Sequence, residues 1–142
     1  MPDPAVFFRE SARVLRPGGR VLVTTLLPGT LGEMERAWKQ ADPEGVHVNR
    51  FAPEKQITGG LEQAGLKMTW RQTLAEVCHY PDARTGARAV KDVGAHNMNP
   101  GRPARLTGKA RWQAFEHAWE QVRTARGLPL TYHVLFLEAI KR

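Results

Sequence analysis

A single cysteine, Cys78, stands among 142 residues, which excludes an internal disulfide and leaves little for a cysteine-built metal cluster. A reducing cytoplasm is therefore the expected compartment. Long apolar runs are missing too. The segment around Val134 to Leu137 is far too short to cross a bilayer, and the opening Met1-Pro2-Asp3-Pro4 carries no basic stretch leading into an apolar one. Neither a membrane span nor a secretory signal is expected. Internal repeats, low-complexity tracts and recognised nucleic-acid motifs are likewise lacking. Acidic charge is in short supply: 14 Asp and Glu face 21 Lys and Arg, leaving a net charge of +7. Such an excess attracts acidic partners over long range, although an ordinary solvated basic surface accounts for it equally well.

What is present reads as one α/β unit. Asp3 before Pro4 has the form of an N-cap and first helical residue, and Ala5, Phe8, Ala12 and Leu15 recur at helical spacing. After Gly18-Gly19, the segment Arg20 to Leu26 is β-branched and apolar on both faces, as in a parallel strand covered by helices on each side. Thr30 and Glu33 are spaced as a capping box for a second helix with Leu31, Met34, Trp38 and Ala41 on one stripe. A loop through His47 and Arg50 leads to a third helix, about 53–64, weakened by Gly59-Gly60 and stopped at Gly65. Leu66, Met68, Trp70, Gln72 and Leu74 fit the alternation of a half-buried strand.

From Ala75 to Leu130 the pattern turns helical and basic. It predicts a helix over 83–93, a polar loop over 94–105, and a long helix capped by Thr107 with Trp112, Phe115, Trp119 and Val122 inward. Those aromatics read as core, because their spacing is helical and their neighbours are not uniformly basic. Thr131 to Lys141 is an interior strand. The five histidines (47, 79, 96, 117 and 133) follow no metal-ligand spacing and read as scattered surface or core residues.

The order helix, strand, helix, helix, strand, helical insertion, strand resembles the second half of the doubly wound, Rossmann-like methyltransferase fold, whose last strand lies antiparallel and central among three. LRPGGRVLVTTL (Leu15 to Leu26) is shared by many methyltransferases. Trp38 with HVNRF (His47 to Phe51), VKDVGAH (Val90 to His96), Gly101-Arg102, Leu106-Thr107 and PLTYHV (Pro129 to Val134) resemble, in order and spacing, the malonyl-acyl carrier protein methyltransferases of biotin synthesis. On this resemblance residues 1–142 form a partial methyltransferase domain, with 75–130 as a helical insertion facing substrate or carrier.

The resemblance implies attack of a malonyl thioester's free carboxylate on the methyl group of S-adenosylmethionine. A carboxylate is already a competent nucleophile, so alignment and exclusion of water should dominate, and no catalytic acid, base or metal is expected. Arg50, Lys91 and Arg102 occupy matched positions and are the candidates to hold the malonyl carboxylate or phosphopantetheine; Tyr132 and His133 are candidates for the same pocket. The acyl group would arrive on acyl carrier protein or coenzyme A, and the basic insertion would suit an acidic carrier. Two departures stand out. No glycine-rich loop following a strand, and no acidic residue ending a second one, is at hand for S-adenosylmethionine, so this chain alone should bind it weakly or not at all. At Gly108 family members commonly carry arginine, a contact that Lys109 or Arg111 would have to replace. An open edge at Arg20 to Leu26 would invite self-association. The competing readings are a methyltransferase for another small acid, a basic module binding RNA or an acidic protein, and an inactive fragment.

Overall fold

The computed structural model describes residues 3–48, 50–92 and 108–142. In chain order these form α1 (Pro4–Val14), β1 (Arg20–Leu26), α2 (Gly32–Ala41), α3 (Glu54–Gln63), β2 (Leu66–Tyr80), α4 (Ala83–Asp92), α5 (Lys109–Glu120) and β3 (Leu128–Lys141). The last strand is central: the sheet order is β1-β3-β2, and β3 runs antiparallel to β1 from Arg20 opposite Ile140 to Leu26 opposite Val134. This is the α/β arrangement that the sequence led us to expect. Contacts divide the chain into two compact units, one of Met1–Pro28, Phe51–Ala75 and His133–Arg142, the other of Gly29–Arg50 and Glu76–Tyr132.

In the first unit α1 begins as its sequence dictates, with the Asp3 carboxylate accepting from the Ala5 N–H at 3.0 Å. That satisfies one of the free donors at the helix start. Phe8 is fully buried in a core with Val23, Ile57, Leu61, Leu66, Leu135, Leu137 and Ala139, onto which Ala12 and Leu15 pack. Complete burial of such a side chain stabilises the fold by about 1.5–3 kcal/mol. Gly60 is part of the packing and not merely a weak point in α3: a Cβ there would lie 2.9 Å from Ala5 N and 3.0 Å from Pro4 C, so its absence lets α1 and α3 meet backbone to backbone. The Gly18-Gly19 pair ties the α1–β1 turn to the end of β3. Gly18 N–H donates to Lys141 O and Lys141 N–H to Gly19 O, at 2.7 and 2.9 Å.

Both outer strands are more open than their sequences suggest. On β1 Val23 is buried while Leu22 is 74% exposed, so one face is covered where two were expected. The helices of this unit pack through Phe8, Ile57 and Leu61 onto Val23, Leu66, Leu135 and Leu137, and further along β2 the helix α3 meets a polar residue, Arg71, which pairs with Glu54. Met68, Trp70 and Leu74 are exposed in consequence. An alternating pattern marks a face that can be covered; it does not supply the cover.

In the second unit α5 packs on α2 and α4. Phe115 and Trp119 are fully buried, and the Trp119 indole N–H donates to the Pro129 carbonyl at 3.0 Å. The aromatic stripe is core, as its spacing predicted, except that α5 ends at Glu120 and leaves Val122 outside it and exposed. The Thr30–Glu33 spacing does not make Thr30 the N-cap of α2. Leu31 takes the N-cap position of α2 in the left-handed region, and Glu33 turns to β3, accepting from Thr131 N–H at 3.0 Å and the Thr131 hydroxyl at 2.6 Å. Two donors held in an extended strand outcompete one local amide. β2 also continues through Ala75 to Tyr80, where the pattern was expected to turn helical, while the helix expected over 83–93 forms as α4 from Ala83. Thr107 and the 94–105 loop lie outside the described residues; α5 is entered through Gly108.

Candidate functional site

Within the second unit, the turn after α2 is built by Asp42-Pro43-Glu44-Gly45. Aspartate first, proline second and glycine fourth suit a type I turn, and Gly45 N–H donates to Asp42 O at 3.1 Å. The chain then runs back past α2 and closes a cavity of about 290 Å³, lined by Glu35, Trp38, Lys39, Gly45 to Val48, and Arg50. The His47 ring lies flat on Trp38, with centroids 4.0 Å apart and 7° between planes, and Trp38 lies as flat on Phe115 at 4.1 Å.

Asp42 is the one buried carboxylate among the described residues. Its Oδ2 accepts from His47 Nε2 at 2.8 Å, and Arg111 Nη1 stands 3.9 Å from the same oxygen. The hydrogen bond from His47 holds the Asp42 carboxyl below its ordinary value; burial works the other way, and Arg111 adds to the lowering. A buried anion is tolerated only when paired in this manner.

The candidate residues are distributed as follows. Arg50 lines the cavity. Lys91 is exposed in the last turn of α4, on one face with Arg84 and Arg88, while Ala83, Gly86 and Val90 form the buried face. Tyr132 is half-buried beside Tyr80, whose phenol it hydrogen-bonds, and burial pushes the pKa of both phenols up. His133 belongs to the first unit, where its carbonyl accepts from Leu27 N–H at 2.8 Å. Arg102 lies outside the described residues. Neither Lys91 nor Tyr132 lines the Arg50 cavity. Asp42 and the pairing role of His47 were missed in the sequence, although the Asp-Pro-Glu-Gly turn was the signal that brings them within reach. At Gly108 a Cβ would meet nothing within 4 Å, and Arg111, one of the two substitutes for the family's arginine, is directed to Asp42.

In the first unit Asp3, Val6, Phe7 and Leu22 to Thr25 line a larger open cavity of about 720 Å³. Its walls are mostly apolar, with Leu22, Val6 and Phe7 exposed. Among the described residues no group of three or more His, Cys, Asp or Glu is placed to hold a metal ion, and no helix is long and apolar enough to cross a membrane. The Gly18-Gly19 pair precedes β1 and is bonded to β3, and the loop after β1 enters α2 with its Leu31 N–H given to Thr131 O at 2.7 Å.

The fold so described is an α/β one with its last strand central, and solved structures of low sequence identity share it. A candidate methyltransferase from Bacillus halodurans superposes with a TM-score of 0.56 at 17% identity, over 99% of this chain and 59% of that one. A functionally unknown protein from Deinococcus radiodurans gives 0.52 at 12% identity, over 98% and 46%. No protein-family model matches the chain. In sequence it is homologous to the malonyl-[acyl-carrier protein] O-methyltransferases, over a stretch that fits their C-terminal half. It is 41% identical to the enzyme of Hahella chejuensis over 134 residues and 40% identical to that of Dechloromonas aromatica over 139, covering 47% and 53% of their lengths. It is 42% identical to the biotin biosynthesis bifunctional protein BioHC of Cellvibrio japonicus over 133 residues, 26% of that protein. The chain thus spans about half the length of the single-function relatives and about a quarter of the bifunctional one.

Proposed function

We propose that this chain supplies the acceptor side of an S-adenosylmethionine-dependent O-methyltransferase that esterifies the free carboxylate of a malonyl thioester carried on acyl carrier protein. The observation that carries this reading is the 40–41% identity to relatives named as malonyl-[acyl-carrier protein] O-methyltransferases across 94–98% of the chain. The local chemistry agrees with it. A carboxylate acceptor needs a cation to orient it rather than a base to activate it, and Arg50 stands at the wall of a small cavity with no neighbouring general base required. Lys91, Arg102 and Tyr132 remain candidates to contact the malonyl carboxylate or the phosphopantetheine. The exposed Arg84, Arg88 and Lys91 face of α4 suits an acidic carrier, whose approach it would accelerate.

The chain's own part lies with the acceptor, because the Gly18-Gly19 pair precedes β1 and is bonded to the end of β3. On this reading the 142 residues alone form no ester, and the exposed Leu22 edge of β1 associates with another polypeptide or a second copy. The test joins the chain to the first half of the Hahella chejuensis relative and supplies S-adenosylmethionine with malonyl-acyl carrier protein, malonyl-coenzyme A or unrelated small acids. A methyl ester formed on the malonyl carrier substrate is the expected product. Preference for an unrelated acid, with the malonyl thioesters untouched, would replace this reading with a methyltransferase of other specificity.

A further inference from the structure

Two tyrosines and one cysteine are all that the 142 residues hold, and the fold of the second unit gathers the three. Cys78 and Tyr80 lie two apart near the end of β2, and so on one face of it; Tyr132 stands on β3, the neighbouring strand. The two phenols are hydrogen-bonded to each other, and the Cys78 thiol to the Tyr80 phenol. Tyr80 is itself wedged in place. A Cβ on Gly86 of α4 would lie 3.2 Å from its ring, and one on Gly127 would lie 2.5 Å from its carbonyl oxygen, so the chain closes around Tyr80 only because both positions are glycine.

The residue before Tyr132 is held as closely. All three polar groups of Thr131 are taken by the beginning of α2: its carbonyl accepts from Leu31 N–H at 2.7 Å, and the two Glu33 carboxylate oxygens accept from its N–H at 3.0 Å and its hydroxyl at 2.6 Å. Leu31 reaches that position with a φ of 61°, in the left-handed region that disfavours any residue bearing a Cβ. A strand already paired in a sheet needs neither a strained cap nor a half-buried carboxylate to secure its end. What Glu33 and Tyr80 have in common is Tyr132, which one holds through the backbone and the other through the phenol.

Burial opposes the charged form of each phenol, so the pair stays protonated well past neutral pH. A fixed, uncharged O–H suits an uncharged acceptor, whereas a carboxylate is better served by a cation. We propose that Tyr132 donates to the thioester carbonyl of the acyl substrate, and that Glu33 and Tyr80 are its positioning residues, Glu33 setting the strand on which Tyr132 stands and Tyr80 the direction of its phenol. The assignment rests on the proposed function, which makes the substrate an acyl thioester and Tyr132 a candidate contact. It adds the atom that Tyr132 meets and the two residues that aim it.

Tyrosinate absorbance of the 142-residue chain, followed across a pH titration, reads this pair alone, since the chain has no other tyrosine. Both phenols are expected to titrate above the ordinary value of about 10. Glu33→Ala and Thr131→Val should bring the midpoint back towards it, and Thr131→Ser, which keeps both donors, should leave it in place, with circular dichroism at each pH reporting that the fold is retained. A parent-like titration in Glu33→Ala overturns the positioning role. Methylation kinetics of the chain joined to the first half of the Hahella chejuensis relative supply the second measurement. Tyr132→Phe should lower kcat/KM for malonyl-acyl carrier protein about tenfold, the worth of one hydrogen bond. Glu33→Ala and Tyr80→Phe should cost no more than that, and nothing further once Tyr132 is already Phe. Losses that multiply in the double variants, or undiminished ester formation in Tyr132→Phe, overturn the assignment while leaving the proposed function standing. Esterification of an unrelated acid alone removes the proposed function and the thioester contact with it, and the phenol titration still decides whether Glu33 holds Tyr132.

Discussion

Replacing Gly60 with alanine sets a methyl carbon 2.9 Å from Ala5 N and 3.0 Å from both Ala5 Cα and Pro4 C. All three are backbone atoms, so relief requires α1 to move as a body off the core that Phe8 anchors. Overpacking of this kind costs about 1–3 kcal/mol, against a gain of about 1 kcal/mol from the better helix former. Gly59 is the built-in control. A Cβ there meets nothing within 4 Å, so the same substitution should keep the gain and stabilise the fold by about 0.5–1 kcal/mol. The two neighbours are thereby separated by roughly 1–3 kcal/mol, which a urea slope of about 1–3 kcal/mol per molar turns into a midpoint difference near 1 M. Urea unfolding followed by far-ultraviolet circular dichroism reads it. A Gly60→Ala midpoint equal to or above that of Gly59→Ala would refute the close approach of α1 and α3.

Three more outcomes follow from the same structure. Because the Asp42 carboxyl is held below its ordinary value, its contribution to stability is complete above about pH 4 and is lost as the pH falls through the lower folded value; Asp42→Asn should flatten the acid limb of a thermal-melt series, and an unchanged limb would deny the pairing. Calorimetry of the isolated chain with S-adenosylmethionine should register no micromolar binding, since the glycines that a cradle would need are engaged elsewhere; a clear micromolar isotherm would show otherwise. Leu22, 74% exposed on an edge strand, should drive concentration-dependent association that Leu22→Glu abolishes in sedimentation velocity, and a parent chain monomeric at high concentration would contradict this.

Much of the fold is legible from local pattern alone. Asp3-Pro4 starts α1, the Phe8 and Ile57/Leu61 stripes point inward, Phe115 and Trp119 are core, and the apolar middle of β3 marks the central strand. Each of these is set by spacing of a few residues, where helix and strand periods differ sharply. The ordered segments from Trp38 to Val134 likewise carry the family likeness, because they are strings of identity that require no geometry to read.

Tertiary structure alone decided the rest. The Thr30–Glu33 spacing is that of a capping box, yet Glu33 serves Thr131, nearly a hundred residues away, whose two donors outbid the local amide. Gly60 looks like a defect until Ala5 is seen against it. Leu22 and Trp70 have the pattern of buried strand residues and stand exposed, since a pattern states which face could be covered and not whether anything covers it. Asp42 and His47 appear in the sequence as a turn residue and one of five scattered histidines. They become a pair only because Trp38 and Phe115, from helices far apart in the chain, stack beneath them. Short-range preferences are written in adjacent residues; partners, cover and cavity walls come from segments distant in sequence, and only packing brings those together.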